Sequence, residues 1–340
     1  KHAIEFLPAT RVVQIDREAH EVVLDNGSRL TYDKLALCTG ARLRRLAIEG
    51  AALAGVHYLR DLADADRLRA DLPTARTAVV IGAGYIGLET AASLRQAGLE
   101  VRVLEAAPRV LGRSVDEPVS AFFEALHRSH GVEIHTGCQV AGLLCKDRVE
   151  AVQCVDGTRY PADLVVIGIG VVANTELAQA AGLAVDDGIV VDSRCRTTDP
   201  DIVAAGDCTR FPSPHLQRQV RLECLANASD QARVAAATLC GNDRQHDALP
   251  WFWSDQYATR LQIAGMVDAP GCVVQRGDVA AGSFSRFYLR DGVMLSALCV
   301  NRPKEFIACK RLIATASPVD PLRLADETCD INAVLSALPA

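Results

Sequence analysis

The stretch from Thr77 to Glu105, TAVVIGAGYIGLETAASLRQAGLEVRVLE, leaves few folds open to this chain. An apolar run, Ala78 to Ile81, enters a glycine turn at Gly82, Gly84 and Gly87, which opens a helix-forming stretch ending at Gly98. A second alternating run, Leu99, Val101 and Val103, stops on Glu105. In a dinucleotide site each glycine has its own task. Gly82 makes the tight turn, Gly84 lets backbone approach a pyrophosphate, and Gly87 lets the helix pack close on the strand. The helix N-terminus offers N–H groups and partial positive charge to phosphates. Glu105 falls the ~20 residues past the glycines at which a carboxylate accepts the hydroxyls of an adenosine ribose. It would repel a 2′-phosphate, so NADH is expected over NADPH.

A second feature is an internal repeat. NGSRLTYDKLALCTG (26–40) lies over DGTRYPADLVVIGIG (156–170), matching Gly27 to Gly157, Arg29 to Arg159, Asp33 to Asp163 and Gly40 to Gly170. Each copy reads as a turn, a short strand and an apolar strand that runs into glycine. One supersecondary unit used twice means two similar folds. The second copy follows the glycine turn at 82–87. The first should follow one of its own, so the front of the first dinucleotide fold is expected upstream of Lys1.

The remaining elements follow from capping and period. Ser114 to His130 reads as a helix with Pro118 in its first turn and Gly131 as its stop, and Val132 to Ile134 as a short strand. Asn174 to Gly182 reads as a capped helix, and residues 189–206 as two strands, Ile189–Val191 and Ile202–Ala205. Residues 223–240 form an amphipathic helix stopped by Gly241. After Leu249 the character changes. Strand-like segments at Gln262–Val267, Cys272–Gln275, Phe284–Leu289 and Val293–Cys299 precede a helix at 303–314, a separate α+β design. The expected architecture is α/β: two Rossmann-like dinucleotide folds, the first lacking its front, plus a C-terminal α+β domain. The boundaries read as 1–72 (first fold, partial), 73–190 (NAD-binding), 191–247 (return to the first fold) and 248–340.

Composition removes several classes. A net charge of −6 argues against a general nucleic-acid binder. The longest apolar runs fall far short of the ~20 residues that cross a bilayer, and no signal peptide is visible. None of the twelve cysteines forms a CxxC pair, and Cys38, Cys154, Cys240 and Cys299 sit in apolar runs. Buried free thiols in a reducing cytoplasm are expected. No His/Cys cluster has metal-ligand spacing.

Gly206-Asp207 ends an apolar strand, where α/β sheets place ligands. From spacing alone Asp207 is either a polyol-binding carboxylate or a simple helix N-cap.

Taken together, GAGYIGLE (82–89), LALCTGA (35–41), TTDPDIVAAGDC (197–208) and PWFWSDQY (250–257) resemble the FAD-dependent pyridine-nucleotide oxidoreductases. The resemblance is to the ferredoxin reductases that serve bacterial dioxygenase and cytochrome P450 systems, and it runs along essentially the whole chain. It implies a domain order of FAD, NAD, FAD and C-terminal, in line with the repeat. Asp207 would then hold the flavin ribityl chain, Arg60 would contact the FAD phosphate or adenine side, and Val12 would offer backbone contact to adenine. Leu225 would approach the isoalloxazine, with Trp253 packed beside it. Glu89, Ile169 and Gly170 would line the nicotinamide side. Against these roles, Trp251 and Trp253 also suit a core, Arg60 a solvated surface, and Glu89 a first turn favoured by the helix dipole. Ala173 stands where the family often has proline, which weakens the match of that turn.

The implied reaction is hydride transfer from NADH to FAD, then single-electron delivery to a [2Fe–2S] ferredoxin. No general base is needed, and no histidine follows His246 to serve dithiol chemistry. An acidic ferredoxin calls for a basic face, with Arg233, Arg302, Lys304 and Lys310 as candidates. The rival readings are a relative with another acceptor (rubredoxin, oxygen, or the NADH-sensing apoptosis-inducing-factor type) and a non-catalytic NAD-binding protein.

Overall fold

The computed structural model describes residues 3–266 and 271–331. Its centre is a five-stranded parallel sheet ordered Val56–His57, Leu164–Ile167, Thr77–Ile81, Glu100–Glu105, Glu133–Thr136. Leu164–Ile167 is apolar throughout, and Thr77–Ile81 is apolar after Thr77, because helices and a second sheet cover both faces. Ala78, Val79 and Val80 are fully buried, as are Leu164 and Val165. Helix Tyr85–Gln96 follows the glycine turn, and helix Glu117–Ser129 starts from an Asp116 N-cap whose side chain accepts from Val119 N–H. Gly131 ends the latter at φ +81°, a left-handed position that suits glycine.

The edge strand Val56–His57 departs from the expected boundary at residue 73. Two apolar residues are too short to show a period, so only the fold reveals which sheet they join. Two further strands tie the folds together, Ala41–Leu43 pairing antiparallel with Val171–Ala173. An antiparallel sheet, Val140–Cys145, Val149–Cys154 and Arg159–Pro161, packs beside the parallel one.

The first fold is assembled from both ends of its sequence. Strand Leu35–Leu37 pairs in parallel with Ile202–Ala204, about which helix Leu225–Leu239 closes a small core of Val203, Ala205, Val234 and Ala235. The hairpin strands Val12–Asp16, Glu21–Leu24 and Arg29–Thr31 lie on a second core with Leu37 and Ile202. The helix expected at Asn174–Gly182 is shorter, Glu176–Ala180, and its Thr175 N-cap makes no side-chain cap bond.

The C-terminal domain is a five-stranded antiparallel sheet ordered Trp251–Gln256, Thr259–Gly265, Val293–Val300, Ser283–Arg290, Cys272–Asp278. Val267, the expected end of the second of these strands, lies outside the described residues. Period-2 alternation sorts the side chains. Leu261, Ile263, Phe284, Leu298 and Val300 join the core of the NAD-side fold, while Ala264, Phe287, Ala297 and Cys299 meet helix Pro303–Thr315. Arg276, buried, pairs with Glu305 at 2.9 Å and donates to the carbonyls of Asp326 and Cys329, clasping the last turn to the sheet.

The cysteine expectation is corrected in part. Cys138 and Cys154 form a disulfide with Cα atoms 6.5 Å apart, because antiparallel pairing puts Val140 opposite Cys154. That register is invisible as a Cys spacing. Cys38 and Cys240 are exposed, and Cys299 is a buried free thiol as expected.

Candidate active site

The three glycines of the turn answer to different constraints. Gly82 has φ +103°, and a Cβ there would sit 2.5 Å from the Gly168 carbonyl oxygen. At Gly87 a Cβ would come within 2.0 Å of the Gly82 carbonyl oxygen. Both are demanded by the chain itself. A Cβ on Gly84 would meet nothing within 4 Å, so the space before the helix stays open for something other than protein. Gly84 is also the N-cap and contributes no side-chain acceptor, which leaves the first turn's N–H groups for an anion. These features fit a bound pyrophosphate.

Glu105 comes from the neighbouring strand end and turns its carboxylate to the same place. Oε2 accepts from Ala83 N–H at 2.6 Å and Oε1 from Ala107 N–H at 2.8 Å. Each oxygen keeps a lone pair for a ligand hydroxyl. Ile169 and Gly170 follow the strand Leu164–Ile167 just beyond Gly168, whose added Cβ would lie 3.5 Å from the Gly87 backbone. Gly170, at φ +97°, gives its carbonyl to Arg44 N–H.

Glu89 is one turn into the helix and is held by the C-terminal domain. Its Oε1 accepts from the Ser254 hydroxyl at 2.5 Å, across 165 residues of sequence. Burial pushes its carboxyl above the ordinary range, and the Ser254 hydroxyl and the Asp255 N–H only partly offset that.

The flavin-side residues also converge. Arg60 Nη2 lies 3.8 Å from Asp207 Oδ2, and both side chains are partly open to solvent. Gly40, the exit of the first repeat copy, keeps that corner clear: its Cβ would stand 3.5 Å from the Arg60 guanidinium. Asp207 is not an N-cap. It follows Gly206 (φ +88°), whose N–H donates to Gln231 Oε1, and the next helix starts only at Leu225, capped by Cys224. Leu225 is 68% exposed at the first turn of a helix without a side-chain cap. Val12, by contrast, contributes to the core of the first fold with Ile15 and Leu24.

One strand joins the two sides. On one face of Trp251–Gln256, Phe252 meets the Tyr85 ring edge-on at 4.5 Å and Ser254 bonds Glu89. On the other, Trp253, 38% exposed, stacks on Trp251 at 5.6 Å, and the Cys224 thiol donates to the Trp251 carbonyl at 3.7 Å. The strand therefore touches the helix that bears Glu89 and the N-cap of the helix that bears Leu225. Exposed Leu225 and Trp253 suit an aromatic ring system, and the Arg60–Asp207 pair suits a polar chain.

Sequence reasoning missed Ser254, Gln256, His127 and Cys224. The period-2 alternation of WFWSDQ was the available signal, since it puts Ser254 opposite to Trp253. Of the basic candidates, Arg233 is paired with Asp230, and Arg302 with Glu305 and Glu327. Lys310 stands over Trp251, its Nζ 4.5 Å from the ring. No helix among the described residues is long and apolar enough to cross a membrane.

Two α/β nucleotide folds with a strand of a third domain between their ligand ends define an oxidoreductase that brings two nucleotide cofactors together. The chain belongs to the pyridine nucleotide-disulphide oxidoreductase family, which residues 1–232 match, and residues 251–335 match the reductase C-terminal family. It is 45% identical to putidaredoxin reductase of Pseudomonas putida, across 99% of this chain and 81% of that one. It is also 45% identical to the ferredoxin–NAD(+) reductase component of the anthranilate 1,2-dioxygenase system of Burkholderia cepacia, across 96% and 80%. Among solved structures it is similar to the covalent putidaredoxin reductase–putidaredoxin complex, with a TM-score of 0.94 and 45% identity over 97% of this chain and 80% of that one.

Proposed function

We infer that this chain is an NADH-dependent flavoprotein reductase that delivers electrons through FAD to a [2Fe–2S] ferredoxin of a dioxygenase or cytochrome P450 system. The supporting observation is the strand Trp251–Gln256, which reaches the nicotinamide-side carboxylate with one face and carries Trp253 on the other. When bound, a flavin supplies the conversion of a two-electron hydride donor into single-electron deliveries. The protein's part is placement. Gly84 and its helix N-terminus would hold the NADH pyrophosphate, Gly82 and Gly87 keep that turn tight, and Glu105 would take the ribose hydroxyls. Glu89, Ile169 and Gly170 would border the nicotinamide. Asp207 and Arg60 would fix the flavin's ribityl and phosphate parts, Val12 its adenine, and Leu225 and Trp253 its ring.

The family and the relatives' activities support this reading, as does the strand Trp251–Gln256, which touches both the helix that bears Glu89 and the N-cap of the helix that bears Leu225. The domain division 1–72, 73–190, 191–247 and 248–340 is retained as a proposal, with Val56–His57 lent to the NAD-side sheet. A cytoplasmic location suits a partner of soluble oxygenase systems. Rapid mixing of the FAD-loaded, full-length reductase with NADH or NADPH tests the assignment, followed by ferredoxin, rubredoxin and oxygen as acceptors. Faster flavin bleaching by NADH and fastest turnover with ferredoxin are expected. A colourless full-length protein, or oxygen as the best acceptor, overturns it.

A further inference from the structure

Five side chains make one hydrogen-bonded line under the nicotinamide side of helix Tyr85–Gln96. The Tyr257 hydroxyl lies 3.3 Å from His127 Nδ1, and His127 Nε2 lies 2.9 Å from Gln256 Oε1. Gln256 Nε2 is 3.1 Å from Ser254 Oγ, which is 2.5 Å from Glu89 Oε1. Ser254, Gln256 and His127 are fully enclosed, so water does not substitute for any of these partners. From Glu89 the line crosses to the C-terminal domain at Ser254, returns to the NAD-side fold at His127 and ends in the C-terminal domain at Tyr257.

Its direction follows from what each atom can do. An amide oxygen only accepts, so His127 donates from Nε2, and the Nδ1 of its neutral ring accepts from Tyr257. Burial keeps that ring neutral by pushing its pKa down, against the opposing pull of Gln256. An amide nitrogen only donates, so it takes a lone pair of Ser254 and leaves the hydroxyl hydrogen to Glu89. Every link points toward one carboxylate oxygen, and donors in series strengthen each other. The reverse direction requires a proton on Glu89 and a flipped Gln256 amide.

We propose that Ser254 is a positioning residue for the nicotinamide site: its hydroxyl, aimed by Gln256 and His127, holds Glu89 as an ionised acceptor facing the nicotinamide. The inference rests on the place given to Glu89 above. Hydride departure leaves the nicotinamide ring positive, so a fixed carboxylate there favours the oxidised nucleotide and the transition state that leads to it. Of the groups around Glu89, Asp255 is the charge that acts on it, and Arg260 draws that carboxylate away at 2.7 Å. Tyr85, earlier on the same helix, stays protonated through burial, and Tyr257 and His127 act only through the line.

The test compares Ser254→Ala and Ser254→Thr with the parent in the FAD-loaded, full-length protein. The Glu89 carboxyl is followed by carbon NMR with Glu89→Gln as its assignment, and NAD+ and NADH affinities are measured by calorimetry across pH. Losing one donor to a charged acceptor raises the Glu89 midpoint by about one pH unit in Ser254→Ala. NAD+ affinity then falls about threefold midway between the two midpoints and approaches a roughly tenfold fall below both, while NADH affinity moves less. Ser254→Thr restores both, and in a Glu89→Gln background Ser254→Ala has no further effect. A midpoint that falls or stays in Ser254→Ala overturns the inference and leaves the role of Glu89 standing, as does an affinity loss that is equal at every pH and persists in the Glu89→Gln background. Glu89→Gln with parental NAD+ and NADH affinities overturns the role of Glu89 itself, and the inference with it.

Discussion

The two copies of the repeated unit share their backbone and differ in what they present at the exit. Gly27 and Gly157 turn at φ +84° and +87°, each donating N–H to the residue three before it, Leu24 and Cys154. Asn26 and Asp156 cap the turns alike, accepting from Ser28 and Thr158 N–H at 2.9 Å. Beyond the apolar strand the copies diverge. The Gly40 exit faces the Arg60 guanidinium and Asp207, whereas the fold around Gly170 gathers two carboxylates, Glu89 and Glu105. A shared frame positions the ligand ends, and a handful of side chains decides which nucleotide each end takes.

The largest effects should separate what the frame needs from what the ligand needs. In the NAD-side copy, Gly87→Ala drives a methyl group into the Gly82 carbonyl, and neither backbone can yield. A loss of about 3 kcal/mol in urea unfolding is expected, the upper end for overpacking. Gly84→Ala meets empty space. It should cost under about 1 kcal/mol of stability, as an alanine N-cap does, yet weaken NADH binding by about tenfold or more where the pyrophosphate approaches. Equal stability losses in the two variants would refute this division of labour.

On the flavin side, Asp207→Ala removes a charged acceptor and leaves Arg60 unpaired. A drop in FAD affinity of about ten- to a hundredfold is expected, the worth of a hydrogen bond to a charged group. Unchanged flavin content after gel filtration removes Asp207 from the site. Glu105→Gln should narrow the preference for NADH over NADPH by about tenfold, close to 1.4 kcal/mol. Initial rates of flavin reduction with each nucleotide measure it, and an unaltered ratio would show that Glu105 serves only Ala83 and Ala107.

Local signals carried much of this. The glycine turn, the acid at Glu105 and the repeat are written over short stretches, because turns, caps and periods are set by neighbours along the chain. Pairings between distant stretches left no such trace. Arg60 follows the strand Val56–His57 and Asp207 the strand Ile202–Ala204, so the two meet only across the fold. Ser254 reaches Glu89 only because the C-terminal sheet lays its edge strand on the NAD-side helix. The Cys138–Cys154 bond likewise depends on a strand register. The sheet that Val56–His57 joins was illegible for the same reason: a two-residue strand takes its place from its partner, Val165–Val166.

The smallest expected difference probes the copies at one matched position, Asp163 against Asp33. Asp163 Oδ2 accepts from Arg76 N–H and Thr77 N–H at 2.8 Å and from the Thr77 hydroxyl at 3.0 Å, tying the start of one strand to the next. Burial pushes its carboxyl up, but those donors outweigh it and hold it below the ordinary range. A carboxyl lowered in the folded state stabilises most above its unfolded value, about 4, and that contribution fades as pH falls through the folded value. Asp163→Ala should therefore cost about 1 kcal/mol at neutral pH, a modest figure because the site is exposed. The cost should shrink toward zero in acid. The Asp33 side chain makes no such bond among the described residues, and Asp33→Ala should stay within about 0.5 kcal/mol at neutral pH. Urea unfolding at pH 7 and pH 3 reads both variants. If Asp33→Ala matched Asp163→Ala in size and pH dependence, the two copies would be held by the same strand tie, and the difference between them would lie only at their exits.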